Sequence, residues 1–218
     1  MKKNIYKSII WFGLVAVMIF APLARGTVKI WAIVPVQIVI FSLVFFWLLR
    51  KNNKTQIQKA DCADNQRKTA LDMLIWLFVV LAGVSCIFSI YKYESVIAIL
   101  RLLSIAGVFY LVRDTFDKNM VNRFVILIIS IGSVLSLFGL GQYFLGLNHS
   151  WWIPNEFIAS TYVNHNHFSG YLELVIPLMI GLLLAYHSWS IQEGYKNLFR
   201  ILLISVLVLI ILAFVFAQ

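Results

Sequence analysis

Long runs of apolar residues recur along this chain of 218 residues, separated by shorter polar or charged stretches. A membrane-spanning helix needs about 20 mostly apolar residues, because the hydrocarbon core is about 30 Å thick and a helix rises about 1.5 Å per residue. Membrane-spanning strands would alternate apolar and polar residues, and these runs do not. With 61% hydrophobic and 12% charged residues, the chain is predicted to be an all-α, polytopic transmembrane helical bundle. We expect about seven spans, over residues 8–23, 30–49, 71–90, 95–112, 124–145, 168–187 and 198–217.

The positive charges are distributed unevenly among the connections between these spans. Fourteen of the 18 Lys and Arg residues lie on the same side as the N-terminus, and three lie in the connections on the other side. Because cytoplasmic loops carry the excess of Lys and Arg, this predicts a cytoplasmic N-terminus. The first span lacks a small-x-small cleavage pattern after it, so we interpret it as a retained helix. The net charge of +9 is spread over loops, which argues against nucleic acid as a partner.

The stretch TYVNHNHFSGYLE, at the entry to the sixth span, places two Asn and two His in consecutive positions. One Asn can cap the helix, since Asn is a preferred N-cap residue, but capping leaves the other polar residues unexplained. A metal site is disfavoured, because only Glu156 or Glu173 could supply a third ligand near His165 and His167, and no metal or other cofactor is expected. The remaining interpretation is a site for a sugar or phosphate formed by Asn164, His165, Asn166 and His167.

Two ionisable residues lie inside predicted spans, where each is expected to cost about 2.5–3.5 kcal/mol in the middle of a helix. Arg101 in the fourth span and Glu173 in the sixth are both predicted about 7–9 Å below the outer surface. We expect both to face the interior of the bundle, either as a structural ion pair or in a polar cavity. Three further outer cations, Arg25, Lys29 and Lys92, either help Arg101 to neutralise a diphosphate or snorkel to the interface.

Two stretches resemble a known family. TYVNHNHFSGYLELVIPLMIGL is similar to the hallmark segment of the O-antigen ligase and O-antigen polymerase superfamily of bacterial membrane proteins, and FAPLARGTVKIWA is similar to its first hairpin. Many members have Arg at the position of His165. The family pattern Asn-x-Asn-His-Phe-small-Gly-Tyr-Leu, followed by a helix containing Pro, is matched here by Asn164, Asn166, His167, Phe168, Ser169, Gly170, Tyr171, Leu172 and Pro177.

The resemblance implies a GT-C-like glycosyltransferase in the bacterial inner membrane. Such an enzyme moves a glycan from an undecaprenyl-diphosphate carrier to another glycan, lipid A core or a protein, at the outer face and without metal or cofactor. The predicted substrate-binding residues are Arg25, Arg101, Asn164, His165, Asn166, His167 and Glu173. Of these, Asn164, Asn166 and His167 match the family motif, and the others follow from the charge and polarity arguments above. Residues 1–145 would hold helices 1–5, and 146–218 an outer loop, with Trp151 and Trp152, and the start of the ligase-like domain.

Family members are longer, and their expected catalytic base lies in a later outer loop. We therefore expect this chain to be the N-terminal half, and assign it no catalytic residue. Whether it acts as an enzyme by itself stays open. Two alternatives remain. A transporter or flippase fragment would need polar residues through the whole bilayer, and a non-catalytic scaffold would leave the polar motif unexplained.

Overall fold

The computed structural model describes residues 2–55, 65–145, 157–185 and 193–218, and all the regular structure in these ranges is helical. The expected outer-loop residues Trp151 and Trp152 lie outside the described residues. The described helices are α1 (Lys2–Leu23), α2 (Ile30–Thr55), α3 (Asn65–Ile87), α4 (Lys92–Thr115), α5 (Lys118–Phe144), α6 (His165–Ala185) and α7 (Glu193–Phe216).

Within the described ranges, six helices are long and apolar enough to cross a membrane, all except α3. The apolar part of α3, Leu71–Ile87, is shorter than the other six. Many large apolar side chains on these helices are exposed, among them Ile105, Leu174 and Leu184. Because such side chains are stable only against lipid or other apolar surface, the chain is a multi-pass helical membrane protein. The predicted all-α polytopic architecture is confirmed.

The connection between α3 and α4 lies three residues earlier than predicted and is closed by side-chain hydrogen bonds. The Lys92 ammonium donates hydrogen bonds to the carbonyls of Cys86 and Ile87, the last residues of α3. The Ser95 hydroxyl donates to the Ser89 hydroxyl over 2.6 Å. Because a lysine satisfies the terminal carbonyls, α3 ends at Ile87 and not at the predicted residue 90.

The chain forms two compact units. The first contains Met1–Val17 and Ile33–Asp117. In it, the helices approach closely at two glycines, where Gly13 lies against Leu43 and Gly107 lies against Val44. The predicted division at residue 145 followed the family resemblance and stays a prediction.

The first unit also contains an ion pair between Arg113 of α4 and Asp72 of α3. The Arg113 guanidinium lies 4.7 Å from the centre of the Tyr110 ring. That ring lies 6.5 Å from the Trp47 ring and 6.4 Å from the Trp76 ring. A charge pair and aromatic rings therefore hold three helices of this unit together.

The second unit contains Met18–Ala32 and Lys118–Gln218. Its centre is one face of α6, whose residues Phe168, Leu172, Val175 and Met179 are all fully buried. The spacing of three and four residues places these side chains on one side of the helix. They pack in one apolar cluster with residues of α5 and α7.

Small residues on α5 allow the close approach that this packing needs. A Cβ at Gly132 would lie 2.9 Å from Val175 Cγ1, and one at Gly139 would lie 2.5 Å from Ile158 Cγ2. In a membrane, where lipid is as apolar as the helix surface, association depends on such close packing. The glycines of α5 therefore determine where Val175 of α6 and Ile158, in the segment before α6, can lie against that helix.

Candidate functional site

The turn between α1 and α2 has an unusual backbone. Arg25, Gly26 and Thr27 have φ angles of 62°, 67° and 55°, respectively. Left-handed φ is readily adopted by glycine, is uncommon for arginine, and is strained for a β-branched residue such as threonine. The Thr27 amide donates to the Ala24 carbonyl over 3.1 Å, which closes the turn. Strain of this kind is retained when the surrounding structure imposes it, and it is concentrated at functional sites.

The surrounding structure is the segment that leads into α6. The Thr161 hydroxyl donates a 2.8 Å hydrogen bond to the Pro22 carbonyl, at the end of α1. This carbonyl belongs to the last helical turn, where helix carbonyls need an outside partner. The Tyr162 ring lies against Gly26, where a Cβ would be 2.5 Å from Tyr162 Cε1. Gly26 is therefore required by both its φ and its neighbour.

The same segment is tied to α5 and α7. The Ile158 amide donates to the Phe216 carbonyl over 3.0 Å. The Ser160 hydroxyl, which is almost fully buried, donates to the Leu135 carbonyl over 2.8 Å. Ser160 has a φ of 52°, a second left-handed position in this region. These bonds hold residues 157–164 in one conformation against the second unit.

Tyr162 is buried at the centre of this arrangement. Its ring lies 5.8 Å from the Phe168 ring and 5.9 Å from the Tyr171 ring. Burial, and secondarily the nearby Tyr171, raises the pKa of the Tyr162 phenol. Its aromatic ring is the packing surface for the strained turn.

Asn164 is the N-cap of α6. Its side-chain Oδ1 accepts a 3.0 Å hydrogen bond from the Asn166 amide, and its carbonyl accepts the amide of His167 over 3.1 Å. The capping interpretation is confirmed for this Asn. The helix begins at His165, three residues before the predicted start, because the first residue of the polar run, Asn164, is the cap. His165 and His167 are therefore both helical and point to different faces.

The His165 imidazole is held from two directions. Its Nδ1 lies 2.9 Å from the Ala217 carbonyl, which follows α7. The Phe157 ring stacks on it, with ring centres 4.7 Å apart and planes inclined by 22°. A stacked ring and a hydrogen bond at one nitrogen fix both the plane and the rotation of the imidazole.

The side of α6 opposite its buried face, which carries Phe168 and Leu172, is exposed. Asn166 and Glu173, two turns apart on one face, are both exposed, and so is Pro177. Because Pro177 has no amide hydrogen, the carbonyl of Glu173 loses its helical partner. A Cβ built at Gly170, on the same face, meets nothing within 4 Å. This face presents the Glu173 carboxylate, the Asn166 side-chain amide and the backbone carbonyl of Glu173.

The expectation that Arg101 and Glu173 face the interior of the bundle is wrong for the helices described. Both side chains are exposed, because the neighbouring helices in each unit pack on other faces of α4 and α6. Arg101 belongs to the first unit and Glu173 to the second, so their pairing stays a prediction.

The other predicted cations have different surroundings. Arg25 is half-buried in the strained turn, and Lys29 is exposed beyond it. Lys92 donates to carbonyls at the end of α3, a contact that neither predicted role included. Within the described ranges, no group of three or more His, Cys, Asp or Glu residues could hold a metal ion.

No known family model, curated protein or solved structure matches this chain.

Sequence reasoning missed the residues that build the contact between the two quoted stretches. Thr161, Tyr162 and Gly26 were part of those stretches but received no role. Of these three residues, only Gly26 could have been given a role from the sequence, since a glycine just after a helix end indicates a left-handed turn. The Asp72–Arg113 pair was also missed. Asp72 lies near the start of α3 and Arg113 near the end of the next helix, α4, and these ends meet when consecutive helices pack antiparallel.

Proposed function

We propose that this chain forms part of a membrane glycosyltransferase of the O-antigen ligase and polymerase kind. It moves a glycan from an undecaprenyl-diphosphate carrier to an acceptor, which is another glycan, lipid A core or a protein. The site lies at the outer face of a bacterial inner membrane, and the N-terminus lies in the cytoplasm, as the distribution of Lys and Arg favours.

One observation carries the proposal. The two stretches that resemble the family lie far apart in sequence, yet they contact each other through Thr161 and Pro22, and through Tyr162 and Gly26. If the two stretches only anchored separate helices in the membrane, no contact between them would be expected. Their contact supports one site that includes the turn carrying Arg25 and the polar start of α6.

The chemistry of the site suits a lipid-linked glycan diphosphate. The leaving diphosphate develops negative charge, which the Arg25 guanidinium in the strained turn is suited to neutralise. For Arg101, the same role is a prediction from the sequence. Asn166, His167 and Glu173 are exposed and offer donors and acceptors to sugar hydroxyls. Asn164 contributes by holding the start of α6, since its side-chain oxygen is engaged by the Asn166 amide.

The function is tested with the intact protein, encoded by the complete gene and reconstituted in lipid nanodiscs. Membranes of a strain lacking the gene supply the carrier-linked glycan and the acceptor. We expect glycan to move to the acceptor and undecaprenyl diphosphate to be released. A protein that binds the carrier but yields no transferred glycan contradicts the proposal, and transport of the carrier between leaflets would favour the flippase alternative.

Arg101→Ala tests the role of that guanidinium. We expect about tenfold weaker binding of undecaprenyl diphosphate, because a hydrogen bond to a charged group contributes about 1.5–3 kcal/mol. Arg101→Lys should retain part of the affinity. Arg200→Ala is the matched control, since it removes one exposed cation predicted to lie on the other side. Equal affinity in all three variants, at normal expression, contradicts the role of Arg101.

A further inference from the structure

We propose that Tyr162, together with Thr161, is a positioning residue that holds the Arg25 guanidinium where the carrier diphosphate binds. The inference rests on the glycosyl transfer proposed above and adds to it residues outside the polar run. It comes from the backbone of the turn that carries Arg25 and from the ring that lies against this turn.

The turn between α1 and α2 does not hold its own conformation. Arg25, Gly26 and Thr27 all have left-handed φ angles, which glycine alone adopts without steric cost. The bond that closes the turn runs from the Thr27 amide to the Ala24 carbonyl. A right-handed turn makes the same bond between its first and fourth residues, so this bond does not explain the left-handed angles. The contact that selects them comes from outside the turn.

The outside contact is the Tyr162 ring. Its Cδ1 and Cε1 atoms occupy the space that a Cβ on Gly26 would fill. The preceding residue, Thr161, donates a 2.8 Å hydrogen bond to the Pro22 carbonyl, at the end of α1. Two neighbouring side chains thus hold the chain just before the turn and at its middle.

The segment that supplies these contacts is fixed by many interactions of its own. Tyr162 is 6% exposed, and its ring packs on the rings of Phe168 and Tyr171 of α6. Its amide donates to the Ala159 carbonyl over 2.9 Å. The buried Ser160 hydroxyl ties the same segment to α5. The segment before α6 is therefore the fixed side of the contact, and the turn adapts to it.

The backbone of Arg25 decides where its guanidinium lies. A change from left-handed to right-handed φ redirects the Cα–Cβ bond, and the rotamers that a side chain can adopt depend on the backbone angles. Because the guanidinium lies at the end of a long side chain, a rotation at the backbone displaces it far. Loss of the Tyr162 ring should therefore weaken diphosphate binding although the guanidinium itself is retained.

Three variants of the intact, reconstituted protein test this role, with the Kd of undecaprenyl diphosphate as the readout. Arg25→Ala should bind about tenfold more weakly, because a hydrogen bond to a charged group is lost. Tyr162→Leu should show a similar loss. Tyr162→Phe should bind as the wild type does, since ring carbons make the contact with Gly26.

A double variant separates positioning from a general structural role. If Tyr162 acts through Arg25, Tyr162→Leu combined with Arg25→Ala should bind no more weakly than Arg25→Ala alone. If the ring only stabilises the fold, the two losses multiply. Tyr143→Leu is the matched control, because its ring packs on Phe144 and Phe216. It should change the affinity by less than about twofold.

Thr161→Val provides the same double-variant test if Tyr162→Leu does not fold. It replaces a hydroxyl by a methyl group of similar size and removes the hydrogen bond to the Pro22 carbonyl. We expect about threefold weaker binding from Thr161→Val alone, and no loss beyond that of Arg25→Ala when the two are combined.

The outcomes distinguish this role from the function on which it rests. Wild-type affinity in Tyr162→Leu, or losses that multiply in the double variant, overturns the positioning role and leaves the glycosyl transfer standing. Unchanged binding in Arg25→Ala does the same. A wild-type protein that binds no carrier and transfers no glycan overturns both.

Discussion

Gly26 shows how much of this site depends on a single residue. Its φ of 67° is open to glycine, and its missing side chain leaves room for the Tyr162 ring. The neighbouring Arg25 and Thr27 adopt similar angles without that freedom, and the strain is stored in the turn. The position of the Arg25 guanidinium therefore depends on Tyr162, which lies in a segment more than a hundred residues away.

Gly26→Ala should destabilise the protein by about 2–4 kcal/mol, because the added Cβ is strained at positive φ and overlaps the Tyr162 ring. Thermal unfolding in detergent, followed by loss of the monodisperse peak on size exclusion, measures this. Gly170→Ala is the matched control, since nothing lies within 4 Å of its Cβ. It should be neutral or stabilise by about 0.5–1 kcal/mol, as alanine does in a helix. Equal stability of the two variants would contradict the proposed contact.

Among the four polar residues of the motif, the sequence predicted that one Asn caps the helix, but not which of the two Asn residues does so. Capping by an Asn follows from local chemistry, since the first amides of any helix need acceptors. The partner of His165 could not be predicted in this way. It is a carbonyl at the end of α7, and nothing within the motif indicates which backbone atom from a distant helix will lie beside it.

At the scale of elements, α5 is the surface on which the site is built. Its glycines allow Val175 of α6 and Ile158 of the preceding segment to approach the helix backbone. Ile158 is branched at Cβ, almost fully buried and held by its amide to the Phe216 carbonyl, so it has little room to move. The position of the polar start of α6 is therefore set by packing against α5.

Gly139→Ala should destabilise the protein by about 1–3 kcal/mol, because its Cβ would lie 2.5 Å from Ile158 Cγ2. The same detergent unfolding assay measures it. Gly141→Ala, two residues along the same helix, meets nothing within 4 Å and serves as the control. If Ile158 can move to accommodate the added Cβ, the two variants will unfold at the same temperature. That result would contradict the role of α5 in fixing the segment before α6.

At the scale of the whole molecule, the distribution of Lys and Arg predicts the orientation of the protein across the membrane. In a protein without its own cysteines, we introduce Lys29→Cys and Asn119→Cys, both at exposed positions. An impermeant maleimide should label the first in intact cells and the second only after the inner membrane is opened. Labelling with the opposite preference would place the start of α6 in the cytoplasm and contradict an outer-face site.

The sequence by itself determined the apolar helices, and with them the membrane environment, because length and apolar composition are local properties that lipid selects directly. It also predicted that one Asn of the motif caps a helix. Only the tertiary structure decided that the turn at Gly26 meets Tyr162, that Ala217 orients His165, and that Arg101 and Glu173 are exposed. These depend on which helix faces touch, and in lipid that choice follows from close packing between residues distant in sequence, which no single apolar stretch encodes.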